Sequence, residues 1–203
     1  MDRIASLKIV PVIAISEASQ ADALAETLIK SGLPIAEVTL RTPSSLDSLR
    51  TIAAHKEILT GAGSLKNERD LNAAITAGAQ FAVSAGFSPA IANEATKLNI
   101  PYFPGVATPT EILAALEAGI TTLKFFPAET LGGISALKAM AAPFPGIRFM
   151  PTGGINLANM NDYLSFAPVV AIGGSWMVPQ KLVDAGDFAE VERLTHEALK
   201  AVK

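Results

Sequence analysis

Lys124 stands in the middle of a short apolar run, Thr121-Thr122-Leu123-Lys124-Phe125-Phe126, that Pro127 ends. Its β-branched and aromatic residues make the run a strand. Alternate side chains of a strand share a face, so Thr122, Lys124 and Phe126 point one way and Leu123 and Phe125 the other. Lysine is ordinarily a surface residue. In a poorly solvated pocket the neutral form of an amine becomes accessible, and that form is a nucleophile. The second candidate is Glu37. Along Ile35-Ala36-Glu37-Val38-Thr39-Leu40-Arg41, the residues Ile35, Glu37, Thr39 and Arg41 share one face, opposite Ala36, Val38 and Leu40. A carboxylate that meets an amine can move protons around whatever the amine holds. The structural alternative is a buried ion pair in a filled core, which can cost more in desolvation than it returns. Ionisable groups in unusual surroundings cluster at active sites, and a glutamate on a facing strand weighs for chemistry.

The elements that must bring these residues together alternate along the chain. Strands are expected at 9–14, 35–41, 58–61, 81–84, 101–104, 122–126, 148–151 and 169–172. Helices are expected at 20–31, 45–55, 68–77, 90–98, 110–118, 135–141, 158–166 and 188–202. Gly32, Gly78 and Gly119 follow three of these helices as left-handed caps, while Asn67 and Thr108-Pro109 start two others. Eight strands, each with its helix, predict a (β/α)8 TIM barrel forming a single domain over residues 1–203, with short loops. A doubly wound open sheet would show a glycine-rich turn after its first strand, and residues 9–19 hold no glycine. In a barrel, alternate strands supply each interior layer. The second and sixth strands therefore face each other, and Glu37 and Lys124 converge. The fourth and eighth strands would add small inward residues, Ala82, Ser84, Ala171 and Gly173.

Composition narrows the chemistry. At 203 residues and 50% apolar, the chain can bury a full core. Its net charge is −3 with basic residues scattered, which marks no nucleic-acid or anionic-membrane surface. The absence of cysteine excludes disulfides, thiolate metal sites and a thiol nucleophile, and is compatible with the cytoplasm. Both histidines, His55 and His196, fall late in outer helices as solvated residues, so a His-rich catalytic zinc is hard to assemble. Arg3 and Lys8 precede the apolar residues 9–15 and could mimic a signal peptide, but the run is short and broken by Pro11. No apolar stretch approaches the ~20 residues of a membrane span.

Two glycine clusters follow the last two strands, Thr152-Gly153-Gly154 and Gly173-Gly174-Ser175-Trp176. Loops there hold phosphate in many barrels, because backbone N–H groups can approach an anion and a short helix can aim its positive end at it. One such pair can merely mark a tight turn. Gly61-Ala62-Gly63-Ser64 and Ser84-Ala85-Gly86 add close-approach loops on the same rim, and Trp176 is expected to pack.

These motifs resemble those of the bacterial 2-keto-3-deoxy-6-phosphogluconate aldolases over nearly the whole chain. The likeness is densest in Glu37-Val38-Thr39-Leu40-Arg41-Thr42, Gly61-Ala62-Gly63, Lys124-Phe125-Phe126-Pro127-Ala128-Glu129, Pro151-Thr152-Gly153-Gly154 and Ile172-Gly173-Gly174-Ser175-Trp176. The resemblance implies a metal- and cofactor-free (β/α)8 enzyme, a homotrimer of the cytoplasm, that cleaves its phosphorylated keto-deoxy sugar acid to pyruvate and glyceraldehyde 3-phosphate. By the same resemblance Lys124 is the Schiff-base lysine and Glu37 its acid and base. Arg41, Ser64 and Phe126 would hold the pyruvate half, Thr152 would lie near the sugar hydroxyls, and Gly153, Gly154, Gly174 and Ser175 would cradle the phosphate. Ser64 replaces the family's threonine, and Ala85 replaces proline in a substrate-facing loop that should be less rigid for it. Rival readings are an aldolase for 4-hydroxy-2-oxoglutarate or the 6-phosphogalactonate epimer, and a non-catalytic phosphosugar-binding barrel. The presence of both Lys124 and Glu37 argues against the last.

Overall fold

Strand and helix alternate through the computed structural model, which describes residues 2–202. The strands are β1 (Ile9–Ile13), β2 (Ile35–Thr39), β3 (Leu59–Leu65), β4 (Phe81–Ser84), β5 (Tyr102–Phe103), β6 (Gly105–Val106), β7 (Thr122–Phe125), β8 (Arg148–Phe149) and β9 (Ile172–Gly174). The helices are α1 (Asp2–Leu7), α2 (Ala21–Lys30), α3 (Ser45–Ala54), α4 (Glu68–Thr76), α5 (Pro89–Lys97), α6 (Pro109–Glu117), α7 (Gly133–Ala141), α8 (Met160–Leu164), α9 (Gln180–Ala185) and α10 (Phe188–Ala201).

All ladders are parallel, in the orders β5-β4-β3-β2-β1-β9 and β6-β7-β8. β5 and β6 are halves of one barrel strand, parted at Pro104, which has no N–H to give the ladder. The Pro104 carbonyl still accepts the Lys124 N–H at 2.8 Å. Bridges Phe149↔Val169 and Thr152↔Gly173 join β8 to β9 and close the ring. The result is a (β/α)8 barrel.

Helix ends follow local chemistry. The Asn67 side chain accepts the Asp70 N–H, and Thr108 with Glu111 makes a reciprocal capping box ahead of Pro109. Gly32, Gly78 and Gly119 hold the left-handed positions past α2, α4 and α6, with φ of +80°, +102° and +76°. α1 and α9 lie outside the expected helices, and the helix expected over 158–166 contracts to α8 with turns on either side. The eighth barrel strand runs two residues further than expected and includes Gly173 and Gly174.

Register decides what fills the barrel, because partners on adjacent strands share a face. Glu37 pairs with Gly61 and Gly61 with Phe81, so all three point inward. Ala82 and Ser84 therefore point outward, contrary to the expectation of small inward residues on the fourth strand. Gly61 makes room for the bulky alternative: a Cβ there would come within 2.3 Å of the Phe81 ring. Phe81 packs against Phe103 with ring centroids 6.0 Å apart. On the outer face Ile9, Ile13 and Val38 are fully buried, as are Leu24, Leu28, Leu49 and Ile52 on the covering helices. Burial of each such side chain contributes about 1.5–3 kcal/mol.

Candidate active site

β2 and β7 face each other across the barrel, and each is inward at its charged residue. Lys124 Nζ donates to Glu37 Oε1 at 3.1 Å, with the lysine side chain 7% exposed and the glutamate fully buried. Gly63 permits this placement, since a Cβ on it would lie 2.2 Å from Glu37 Oε1. Glu37 Oε2 finds no hydrogen-bond partner among the described residues. A buried carboxylate oxygen left so costs roughly 1–3 kcal/mol. The Lys124 ammonium position lies 5.3 Å from the centre of the Phe126 ring.

Phe126 connects this pair to a cavity of about 160 Å3 at the C-terminal ends of the strands. Arg41, Phe126, Thr152, Gly153, Gly154, Gly174 and Ser175 line it together with Val12 and Ile155. Seven residues singled out from the sequence thus meet in one concavity, above the buried pair. Val12 points inward as the register partner of Glu37, a pairing that the sequence does not show. Ile155 carries no sequence signal. Arg41 is steadied from below: its Nε donates to Thr39 Oγ1 at 3.1 Å, and Thr39 Oγ1 donates to the Ile13 carbonyl at 2.7 Å.

The glycine clusters divide into two kinds. Gly153 and Gly154 have φ of +102° and +80°, backbone that a side chain would strain, and a Cβ on Gly154 would also sit 2.6 Å from Glu129 Cβ. Gly173 and Gly174 are strand residues that yield space: a Cβ on Gly173 would sit 2.3 Å from Thr152 Oγ1, and one on Gly174 would sit 1.9 Å from the Trp176 ring. Trp176 packs here, as its sequence context suggested. The helices that follow, α8 and α9, have five and six residues and begin several residues past the glycines. The expected helix end aimed at an anion is therefore absent from these loops; backbone N–H groups and the Ser175 hydroxyl are what they offer.

Ser64 and Ala85, like Lys124 and Glu37, are not among the residues that line this cavity. Gly61-Ala62-Gly63 is not a rim loop but the interior of β3, and Ser64 sits where the β3–β4 register shifts, at φ +62°. Ala85 is exposed beyond the end of β4. His55 is more than a solvated residue, with Nε2 2.8 Å from Asp22 Oδ1, while His196 is exposed on α10. Among the described residues, no three histidine or acidic side chains group as metal ligands, and no helix is long and apolar enough to cross a membrane.

Comparison with known proteins gives the arrangement a context. A family model described as KDPG and KHG aldolase matches residues 1–194. The KHG/KDPG aldolase of Escherichia coli K12 is 42% identical over 196 residues, 96% of this chain and 92% of that one. The 2-keto-3-deoxy-6-phosphogluconate aldolase of Zymomonas mobilis superposes with a TM-score of 0.92 at 37% identity, covering 97% of this chain and 95% of the other. The KDPG aldolase of Legionella pneumophila, captured with pyruvate at low pH as a covalent carbinolamine intermediate, gives 0.91 at 37% identity, covering 96% and 95%. Likeness of this depth over nearly the full length of each partner means that the chain belongs to the KDPG and KHG aldolase family.

Proposed function

We propose that this enzyme cleaves 2-keto-3-deoxy-6-phosphogluconate to pyruvate and glyceraldehyde 3-phosphate through a Schiff base on Lys124. The observation that carries the reading is the buried Lys124–Glu37 contact of 3.1 Å beneath a cavity lined by Arg41 and residues of both glycine clusters. Lys124 Nζ adds to the C2 ketone, and loss of water gives an iminium. Glu37 takes the C4 hydroxyl proton; the C3–C4 bond breaks, its electrons pass to the iminium nitrogen, and the aldehyde leaves. The resulting enamine is protonated at C3, and water releases pyruvate and restores the amine. One carboxylate serves each proton transfer in turn. The iminium nitrogen is the electron sink, so the sequence of steps calls for no metal or cofactor.

In this reading Arg41 pairs with the substrate carboxylate, Phe126 and Ser64 border the pyruvate half, and Thr152 lies near the sugar hydroxyls. Gly153, Gly154, Gly174 and Ser175 hold the phosphate through backbone N–H groups and one hydroxyl. We further propose a homotrimer acting in the cytoplasm, supported by the family resemblance; light scattering should give three times the mass of one chain. The deciding experiment is borohydride reduction in the presence of pyruvate. It should inactivate the enzyme and leave a reduced adduct on Lys124, and EDTA should leave turnover unchanged. Labelling at a different lysine would overturn the assignment.

A further inference from the structure

Tyr102 lies on the outer face of its strand, as the register partner of Ala82 and next to Ser84. Its ring is buried at 6% exposure, and its hydroxyl is 2.6 Å from Ser84 Oγ. Ser84 Oγ in turn donates to the Gly86 carbonyl at 2.6 Å. A serine has a single O–H, and a carbonyl can only accept, so the tyrosine is the donor of the first bond. Two hydroxyls thus form a directed chain, Tyr102 to Ser84 to Gly86, that ties down the turn beyond β4 from behind.

The front of the same turn faces the reacting lysine. Gly105 is the register partner of Lys124, so both present the inner face. A Cβ on Gly105 would fall 2.0 Å from the Ala85 carbonyl oxygen and 2.9 Å from the Gly86 nitrogen. The Ala85–Gly86 peptide therefore enters the barrel mouth over Gly105, alongside the strand that carries Lys124. On the Schiff-base reading it would border the carbons beyond the iminium. Nothing in the Ala85 side chain restrains this peptide, and both residues are exposed. Its position depends on the hydroxyl chain behind it.

We infer that Tyr102 and Ser84 are positioning residues that latch the Ala85–Gly86 peptide beside Lys124 and thereby set selectivity at the substrate C4. The inference rests on the Schiff-base reading above. Burial, opposed by hydrogen bonds with Ser84 and with the Ser88 backbone, holds the Tyr102 hydroxyl above the ordinary tyrosine range, so the donor keeps its proton at neutral pH.

The test compares Tyr102→Phe, Ser84→Ala, the double variant and Ser84→Thr. Cleavage of 2-keto-3-deoxy-6-phosphogluconate and of its C4 epimer is measured for each, with borohydride trapping of pyruvate and Tm alongside. Each single variant should lower kcat/KM on the preferred epimer about tenfold and narrow the epimer ratio severalfold, a modest case of what misplacement costs. The double variant should lose no more than the worse single, because both break one latch. Ser84→Thr, which keeps the hydroxyl, should keep the ratio. Pyruvate trapping at Lys124 should stay within about twofold, since pyruvate lacks C4. An unmoved epimer ratio, losses that multiply in the double variant, or trapping that falls in step with cleavage would overturn the latch. Failure of the wild type to trap pyruvate at Lys124 would overturn the Schiff-base reading itself, and is distinguishable for that reason.

Discussion

Replacing Gly63 with alanine would shift Glu37 against Lys124 without removing either group. The added Cβ would lie 2.2 Å from Glu37 Oε1, 2.8 Å from its Cγ and 2.9 Å from its Cδ. Three atoms of one side chain are too close, so turning the carboxylate about its last bond relieves only part of the clash. The whole side chain must retreat by about 1 Å to reach ordinary van der Waals contact. Glu37 is fully buried, and its displacement disturbs the 3.1 Å contact with Lys124. A displacement of that size at a proton-transferring group costs about 10²-fold in turnover. Overpacking should add a stability loss of about 1–3 kcal/mol, or several degrees in Tm.

The informative control is Gly61→Ala. It makes a comparable clash, 2.3 Å against the Phe81 ring, two residues away on the same strand. Both variants should show a lowered Tm, but only Gly63→Ala should lose about two orders of magnitude in kcat. Thermal unfolding and steady-state cleavage of 2-keto-3-deoxy-6-phosphogluconate check both. If Gly63→Ala turns over within about threefold of wild type, the close approach of Glu37 to Lys124 is not what catalysis uses.

Glu37→Gln should cut turnover by about 10²–10⁴-fold while the chain stays folded, and near-normal rates would assign the proton transfer to another group or to water. Ser175→Asp should lower kcat/KM on the phosphorylated substrate far more than on its unphosphorylated analogue; an equal loss on both would remove the glycine turns from phosphate binding. Tyr163 donates to Glu129 Oε1, and burial first, then that bond, pushes its hydroxyl well above the ordinary range. The folded chain therefore keeps this proton where an unfolded tyrosine, titrating near ~10, has lost it. Its stabilisation is complete below about pH 10 and is lost as the pH climbs further. The wild-type Tm should fall more steeply from pH 8 to pH 11 than that of Tyr163→Phe, and parallel curves would refute the coupling.

The facing pair was legible because it rests on two simple regularities, the period of two along a strand and the alternation of layers in a barrel. Neither needs exact element ends. The capping residues were legible for the same kind of reason: Asn67, Thr108 and the glycines past α2, α4 and α6 act within a few residues of themselves. What sequence could not supply was the phase of each strand where both faces are apolar. Phe81-Ala82-Val83-Ser84 can point either set inward, and small Ala82 and Ser84 look like the set that leaves space. Only the register with Gly61 shows that Phe81 takes the interior. The end of β9 failed similarly, since Gly-Gly reads as a turn until Thr152 is seen against Gly173.

That failure bears on how glycines in such a barrel should be read. Gly61, Gly63, Gly105 and Gly173 each stand opposite one specific neighbour: the Phe81 ring, the Glu37 carboxylate, the Ala85 carbonyl and the Thr152 hydroxyl. None has the positive φ that demands glycine for its backbone. Each is required because a side chain or peptide from elsewhere already occupies the volume of its Cβ. Gly153 and Gly154 differ in that φ itself demands glycine, and Gly154 also yields space to Glu129, whose Cβ lies 2.6 Å from where its own would stand. Two demands that look alike in sequence therefore have separate consequences. Substitution at a φ-restricted turn strains the rim of the cavity. Substitution at a space-yielding strand position pushes on a named partner, and the effect appears wherever that partner acts. For Gly63 the partner is Glu37, which contacts Lys124, so this interior glycine belongs to the positioning of the buried pair as much as to packing.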